Sequence, residues 1–212
     1  MQKWNGKESK RGTGFHQARL PHEHWHNDMS YLNISGTFYY MLVVLDGASR
    51  YIVAWDIRTS MTERDVEIVL ERAKEAFPLA RPRMISDSGP QFIAREFKEY
   101  IRISGMIHVR TSPYYRQSNG KLERVNKTIK EECIRPGVPL SLDDAKQMVG
   151  TYVAQYNIVR LHSSIGDVTP QARLMGRHTF NEKKGKLENG RRARRDSRHI
   201  IQPQPRSSCL EN

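Results

Sequence analysis

Three carboxylates in this chain, Asp28, Asp87 and Glu123, each stand in a setting suited to metal-dependent phosphodiester chemistry, and 35 residues lie between the second and the third. Brought together, three carboxylates repel strongly unless cations neutralise them. Their hard oxygens suit Mg²⁺ or Mn²⁺. Two such ions, held ~3.5–4 Å apart, activate the attacking oxygen and stabilise the leaving oxygen of an in-line displacement at phosphorus. Taken singly, an Asp in a turn or a Glu in a first helical turn is more often a cap or a solvated charge. The grouping of the three carries the chemistry.

The elements that must position them follow from the local pattern. Asp28 lies in Trp25-His26-Asn27-Asp28-Met29 at the start of an alternating, β-branched and aromatic stretch, which predicts a first strand over about 27–34. Two further strands, about 37–46 and 51–58, follow after turns near Ser35-Gly36 and Gly47-Ala48-Ser49, and such short connections make an antiparallel meander. Thr62 with Asp65 three residues on predicts a helix N-terminus. Val66, Val69, Leu70, Ala73 and Phe77 then recur at helical spacing up to Pro78. Asp87 ends a short buried strand over 83–87 and precedes the turn signal Ser88-Gly89-Pro90. A helix over about 90–104, with Phe92, Ile93, Phe97, Tyr100 and Ile101 on its apolar face, leads to a strand over 107–111. Glu123 follows the loop-like Ser118-Asn119-Gly120 and opens a helical segment free of proline until Pro136. A last helix over about 142–157 turns Ala145, Met148, Val149, Tyr152, Val153 and Tyr156 inward. The order β-β-β-α-β-α-β-α predicts an α/β protein, a mixed five-stranded sheet flanked by helices on both faces.

With Gly120-Lys121-Leu122-Glu123-Arg124 and Lys130 seven residues after the Glu, the three acids resemble the catalytic core of DDE transposases and retroviral-type integrases, in particular bacterial insertion-sequence transposases with an integrase core. The likeness spans roughly Trp25 to Gly176. It includes Ser86-Asp87-Ser88-Gly89-Pro90-Gln91-Phe92, Ser112-Pro113-Tyr114-Tyr115-Arg116, and the run from Tyr156-Asn157 through Arg160 and His162 to Thr169-Pro170. Ser86 departs from the usual Thr, and Gly47 stands where an acidic or apolar residue is frequent. The resemblance implies a ribonuclease H-like fold in which the first and fourth strands are neighbours, setting Asp28 beside Asp87. It implies Asp28, Asp87 and Glu123 as catalytic ligands of two Mg²⁺ or Mn²⁺ ions, and DNA strand cleavage followed by strand transfer, as in transposition and DNA integration. The expected partners are DNA, both element ends and target, and further copies of the chain on that DNA. Relatives recognise their ends through helix-turn-helix segments ahead of the core. Only about two dozen residues precede Trp25 here, so end recognition is expected to be absent, carried by a separate helix-turn-helix chain, or lost by truncation.

Other residues admit two readings each. Lys127 and Lys130 share a helical face with Glu123; they hold DNA phosphates or bases, the role the resemblance implies for Lys130, or they are solvated partners of nearby acids. Tyr115, Arg116 and Asn119 belong to a loop that either stacks on bases and bonds phosphates or is ordinary surface. Asn157, Arg160 and His162 bond a phosphate or, as the last-turn position favours, tie the final helix to the sheet. His22, His24 and His26 alternate without a Cys or fourth ligand nearby, so solvent-facing histidines are expected rather than a metal site. Asp46 is expected to form the turn before Gly47 rather than to ligate a metal.

Composition fits a polyanionic partner. The 212 residues carry a net charge of +12, and the sequence pI is about 9.9. Half the excess lies beyond the core, since 177–212 carries ten Lys/Arg against four acids, including Arg191-Arg192-Ala193-Arg194-Arg195. The reading is therefore a basic lead-in over 1–22, a catalytic core over 23–176 and a basic, disordered tail over 177–212. Cys133 and Cys209 lack CxxC spacing, which argues against a zinc site or disulfide framework. No apolar run is long enough for a membrane span or signal peptide, so a cytoplasmic, nucleoid-associated protein is expected. Two alternatives stay open: an inactive or truncated remnant that only binds DNA, and a ribonuclease H-type nuclease.

Overall fold

The computed structural model describes residues 17–87, 89–110 and 120–177. Its centre is a five-stranded sheet in the order β3-β2-β1-β4-β5. Strands β1 (His24–Ile34), β2 (Thr37–Asp46) and β3 (Ile52–Arg58) form the antiparallel meander. Strands β4 (Arg83–Ser86) and β5 (Ile107–Arg110) add to it in parallel, β4 directly beside β1. The β1–β2 reversal runs through Ser35 and Gly36, both at positive φ (49° and 84°), the backbone whose twist matches a hairpin. Asn33 Oδ1 accepts the Gly36 N–H at 3.0 Å and holds the turn.

Two apolar layers form because side chains alternate across the sheet. On one face Leu32, Ile34, Val43 and Leu45 pack against α4 (Gly120–Ile129) and α6 (Leu142–Ile158). On the other, Trp25, Leu42, Val44 and Met84 pack against α1 (Glu63–Ala76), α2 (Pro90–Ile93) and α3 (Arg95–Ile103). Helix α1 starts with the expected capping box between Thr62 and Asp65. Inward from α6 come Ala145, Val149, Val153 and Tyr156, with Met148 and Tyr152 partly buried beside them.

The single helix expected over 90–104 is instead two, broken at Ala94, whose φ and ψ of −53° and 147° are extended. On one continuous helix Phe92 and Phe97 would point about 140° apart. With the break both are wholly buried and meet edge to face at 5.7 Å. Ile93, expected on the apolar face, is 40% exposed for the same reason. A second irregularity follows α4, where the helix widens to a π-helical turn over Lys130–Ile134 and resumes as the short α5 (Arg135–Gly137). A 3₁₀ turn over Ser163–Ile165 and α7 (Pro170–Leu174) complete the described chain. Among the described residues no helix is long and apolar enough to cross a membrane.

Candidate active site

The register of the parallel β1–β4 pair sets Trp25 against Met84 and His26 against Ile85. Continued two residues, that register brings Asp87, at the carboxyl end of β4, level with Asp28. Asp87 Oδ1 accepts the Gly89 N–H at 3.0 Å, so the turn that follows the strand orients this carboxylate. Glu123 stands in the first turn of α4, which packs across β1 and β2.

Electrostatics tie the three together. Asp28 is half-buried, and its pKa is raised from the ordinary 3.8 to about 6, first by burial and then by the negative charges of Asp87 and Glu123. The Met29 backbone N–H and the Asn126 side chain act in the opposite direction. Asn126 Nδ2 donates to Asp28 Oδ2 at 3.2 Å. Asn126 is buried on α4, three residues after Glu123, and sequence reading missed it although the i,i+3 spacing puts it beside the Glu. Among the described residues no three His, Cys, Asp or Glu side chains converge closely enough to enclose an ion. The donor set still fits a divalent cation: hard oxygens throughout, with a mutual repulsion that a cation would cancel.

The two lysines part company. Lys130 is half-buried at the start of the π-helical turn. Its pKa is lowered mainly by burial, while the charge of Asp28 pulls it upward. Lys127 is exposed, its Nζ 3.8 Å from Glu131 Oε1 one turn on, as a solvated helix face would have it. Tyr115, Arg116 and Asn119 lie outside the described residues, as does most of the basic tail.

Behind Asp87 is a pair that sequence reading did not find. Ser86 Oγ lies 2.7 Å from His108 Nε2 and donates to the Asp87 carbonyl at 3.0 Å. A hydroxyl has one proton, so this arrangement assigns the imidazole proton to Nε2. The pKa of His108 is lowered by burial and then by Arg110 and Lys98. The residues two positions apart on adjacent parallel strands β4 and β5 thus brace the backbone that carries Asp87.

The histidines at the amino end of β1 correct the expectation of solvent-facing rings. His24 and His26 are 3% and 1% exposed. The reason is topological: β1 is the middle strand, covered on both faces, and alternation alone does not distinguish a solvated face from a second buried one. His22 is half-buried, at φ 61°, and its Nδ1 accepts from Trp25 Nε1 at 3.2 Å. Asp46 is wholly buried and builds the turn, accepting from Ser49 N, Ser49 Oγ and His22 N at 2.8, 2.6 and 2.7 Å. Asn157 ties α6 to the sheet through both amide groups, at 2.9 and 3.0 Å from Ile52 N and O. Arg160 pairs with Glu132 and stacks near the Tyr156 ring.

Two family models, each described as an integrase core domain, match the chain across this architecture, one over residues 18–116 and the other over 104–170. Together the two matches span residues 18–170, and the chain carries an integrase-type core. It is 26% identical over 157 residues to a putative transposase for the insertion sequence element IS986/IS6110 of Mycobacterium tuberculosis, covering 71% of this chain and 56% of that protein. It is 26% identical over 160 residues to the transposase for IS904 of Lactococcus lactis, covering 73% and 62%. The chain thus spans little more than half the length of these relatives. Among solved structures, it superposes with a TM-score of 0.65 on a simian T-cell lymphotropic virus intasome complexed with a PP2A regulatory subunit, at 21% identity over 76% of this chain and 57% of that one. The HTLV-2 integrase catalytic core domain in complex with magnesium gives 0.59 at 20% identity, covering 73% and 97%. The integrase core shares their ribonuclease H-like fold, and its sheet order agrees with it.

Proposed function

We propose that this chain is the catalytic part of an insertion-sequence transposase that cleaves DNA at element ends and transfers the freed strand. The observation that carries the reading is the placement of Asp28 on β1, Asp87 just past the end of β4 and Glu123 on α4 of an integrase core, close enough that the charges of two of them raise the pKa of the third. Water attacks a phosphodiester at phosphorus, forming one P–O bond as the bond to the 3′-oxygen breaks, which leaves a 5′-phosphate and, with a proton from the water, a 3′-OH. That hydroxyl then attacks a second phosphodiester, forming one P–O bond and breaking another. No covalent protein–DNA intermediate is required.

Asp28, Asp87 and Glu123 would hold two divalent ions, Mg²⁺ or Mn²⁺, whose chemistry when bound is activation of the entering oxygen and stabilisation of the leaving one. Asn126 fixes the orientation of Asp28. Asp87 and Glu123 are both exposed, so their side chains turn toward a ligand without disturbing the core. The Ser86–His108 pair keeps the Asp87 backbone in place. Lys130, whose charge Asp28 acts on, would meet the negative phosphate that occupies the site. DNA is the substrate class, further copies of the chain bring paired ends together, and the compartment is the cytoplasm, at the nucleoid. A ribonuclease H-type nuclease is disfavoured by the insertion-sequence transposases among the relatives.

The test uses a branched DNA that mimics the product of end joining, with Mg²⁺ or Mn²⁺, for the wild type, Glu123→Gln and Asp87→Asn. This substrate brings its own geometry and does not require end recognition. Resolution by the wild type alone is the expected result. Inertness of a well-folded wild type with both metals, or activity retained in either variant, would overturn the proposal.

A further inference from the structure

A second site lies on the other flank of α4. Lys121, Arg124 and Thr128 occupy a face turned about 100–160° from Glu123, away from the carboxylates. Together with Arg50, Arg160 and His162 they line a cavity of about 530 Å³, room enough for a nucleotide-sized group. No carboxylate contributes to its lining. Arg160 brings its own counter-charge, Glu132. Among the described residues, no carboxylate lies within ion-pair distance of Arg50, Lys121 or Arg124. Buried Asp46, in the same turn, acts electrostatically on Arg50 and Lys121, but with Arg124 the cations outnumber that one anion and concentrate positive potential in a concave cleft.

The scaffolding holds the charges there. Arg50 adopts φ 64°, a left-handed backbone that costs a non-glycine residue about 1 kcal/mol or more. Its guanidinium and the Lys121 ammonium both donate to the Gly47 carbonyl, at 2.8 and 3.1 Å. That shared carbonyl clamps two cations side by side at the mouth of the β2–β3 turn. His162, meeting Tyr156 edge to face at 4.8 Å, has its pKa lowered by burial and then by Arg160 and Arg50, so the far wall senses the same field. Ser163 and Ser164 add hydroxyl groups to that wall.

We infer that this cavity is a second DNA subsite, which takes phosphates of the backbone away from the one being cleaved. The inference rests on the transposase reading above, because the carboxylate site and this cavity flank one helix only about 10–12 Å across. A strand engaged at the carboxylates reaches the cavity by passing over the amino-terminal turn of α4. Phosphate oxygens are the ligands; the bases need not be read.

The test is the salt dependence of binding to a short labelled duplex, with EDTA present so that the carboxylates contribute no metal. For the double variant Lys121→Gln/Arg124→Gln the slope of log K against log salt should fall by about 1.8, near 0.9 for each phosphate no longer neutralised. Arg102→Gln, which removes an exposed charge on α3, should leave the slope at the wild-type value. Melting curves check that the variants fold, and Lys121→Arg, which keeps the charge, should retain the slope. An unchanged slope in the double variant, an equal fall in Arg102→Gln, or a wild type that does not bind DNA would overturn the inference. So would a wild type whose melting temperature rises with inorganic phosphate while the DNA slope ignores these residues, because that assigns the cavity to free phosphate. The branched-DNA assay run in parallel separates the two claims: active wild type with an unaltered slope removes the subsite alone, and a reduced slope in an inert protein removes the catalytic reading alone.

Discussion

Replacing Asp28 by Asn should make the metal-free protein more stable at neutral pH while abolishing its activity. Burial, reinforced by Asp87 and Glu123, raises the folded-state pKa from 3.8 to about 6, which corresponds to roughly 3 kcal/mol at 1.36 kcal/mol per pKa unit. Because the side chain is only half-buried, solvent screening reduces this to about 2 kcal/mol. The sign follows from proton counting. Between about pH 4 and pH 6 the unfolded chain has lost its proton at position 28 and the folded chain has kept it, so stability falls as pH rises through this window. Above pH 7 the penalty is complete; below pH 4 it is absent. Asn keeps an acceptor for Asn126 and carries no charge. In EDTA at pH 8, Asp28→Asn should therefore melt about 4–8 °C above wild type, at roughly 2–4 °C per kcal/mol for a domain of this size, and at pH 4 the two should coincide. Added Mg²⁺ or Mn²⁺ should raise the wild-type melting temperature and leave the variant unmoved. Equal melting at pH 8, or a gain that persists at pH 4, would refute the claim that the three carboxylates strain one another.

Other outcomes follow from single contacts. Asn126→Ala, which removes the donor to Asp28, should weaken divalent-ion affinity or activity about 10–100-fold, measured by metal titration of branch resolution, with little loss of folding. Asp56 is 6% exposed and pairs with Arg58 and Arg72 at 2.8 and 3.4 Å. Asp56→Asn should cost about 3 kcal/mol in a urea titration, because it leaves clustered cations without their anion. A Cβ at Gly47 would stand 2.9 Å from His26 Nε2 and 3.3 Å from the His24 carbonyl. Gly47→Ala should therefore destabilise by about 1–3 kcal/mol, read from the same titration.

Local chemistry was legible where one residue decides one backbone event. Thr62 with Asp65, Ser35-Gly36 and Pro78 marked an end, a reversal and a stop, and each element bound lay within a few residues of the observed one. Period-2 and period-3.6 patterns gave the strands and helices, and the meander followed from short turns. What stayed hidden depended on three-dimensional neighbours. The break at Ala94 exists to let Phe92 and Phe97 face one core, a condition that exists only once the sheet is in place. His24 and His26 alternate like solvent-facing residues, yet they sit in a strand covered twice. Asn126 and His108 look unremarkable in one dimension; their partners, Asp28 and Ser86, are 98 and 22 residues away. The cavity cations come from three separated segments, and no local spacing links Arg50 to Lys121.

The strand order also sets a timetable. The β1–β2–β3 meander is built from near neighbours in the chain, so loop closure costs it little and it can form as soon as it is synthesised. Asp28 is therefore presented early, on a strand whose other edge still lacks β4. Asp87 arrives only when β4 docks in parallel on that open edge, and Glu123 later still, with α4. During synthesis the chain passes through a stage in which one edge of β1 is unpaired, with Asp28 in place and neither Asp87 nor Glu123 beside it. Such an edge is a template for pairing with another nascent chain. Assembly of the three carboxylates and relief from that exposure are acquired by the same docking events.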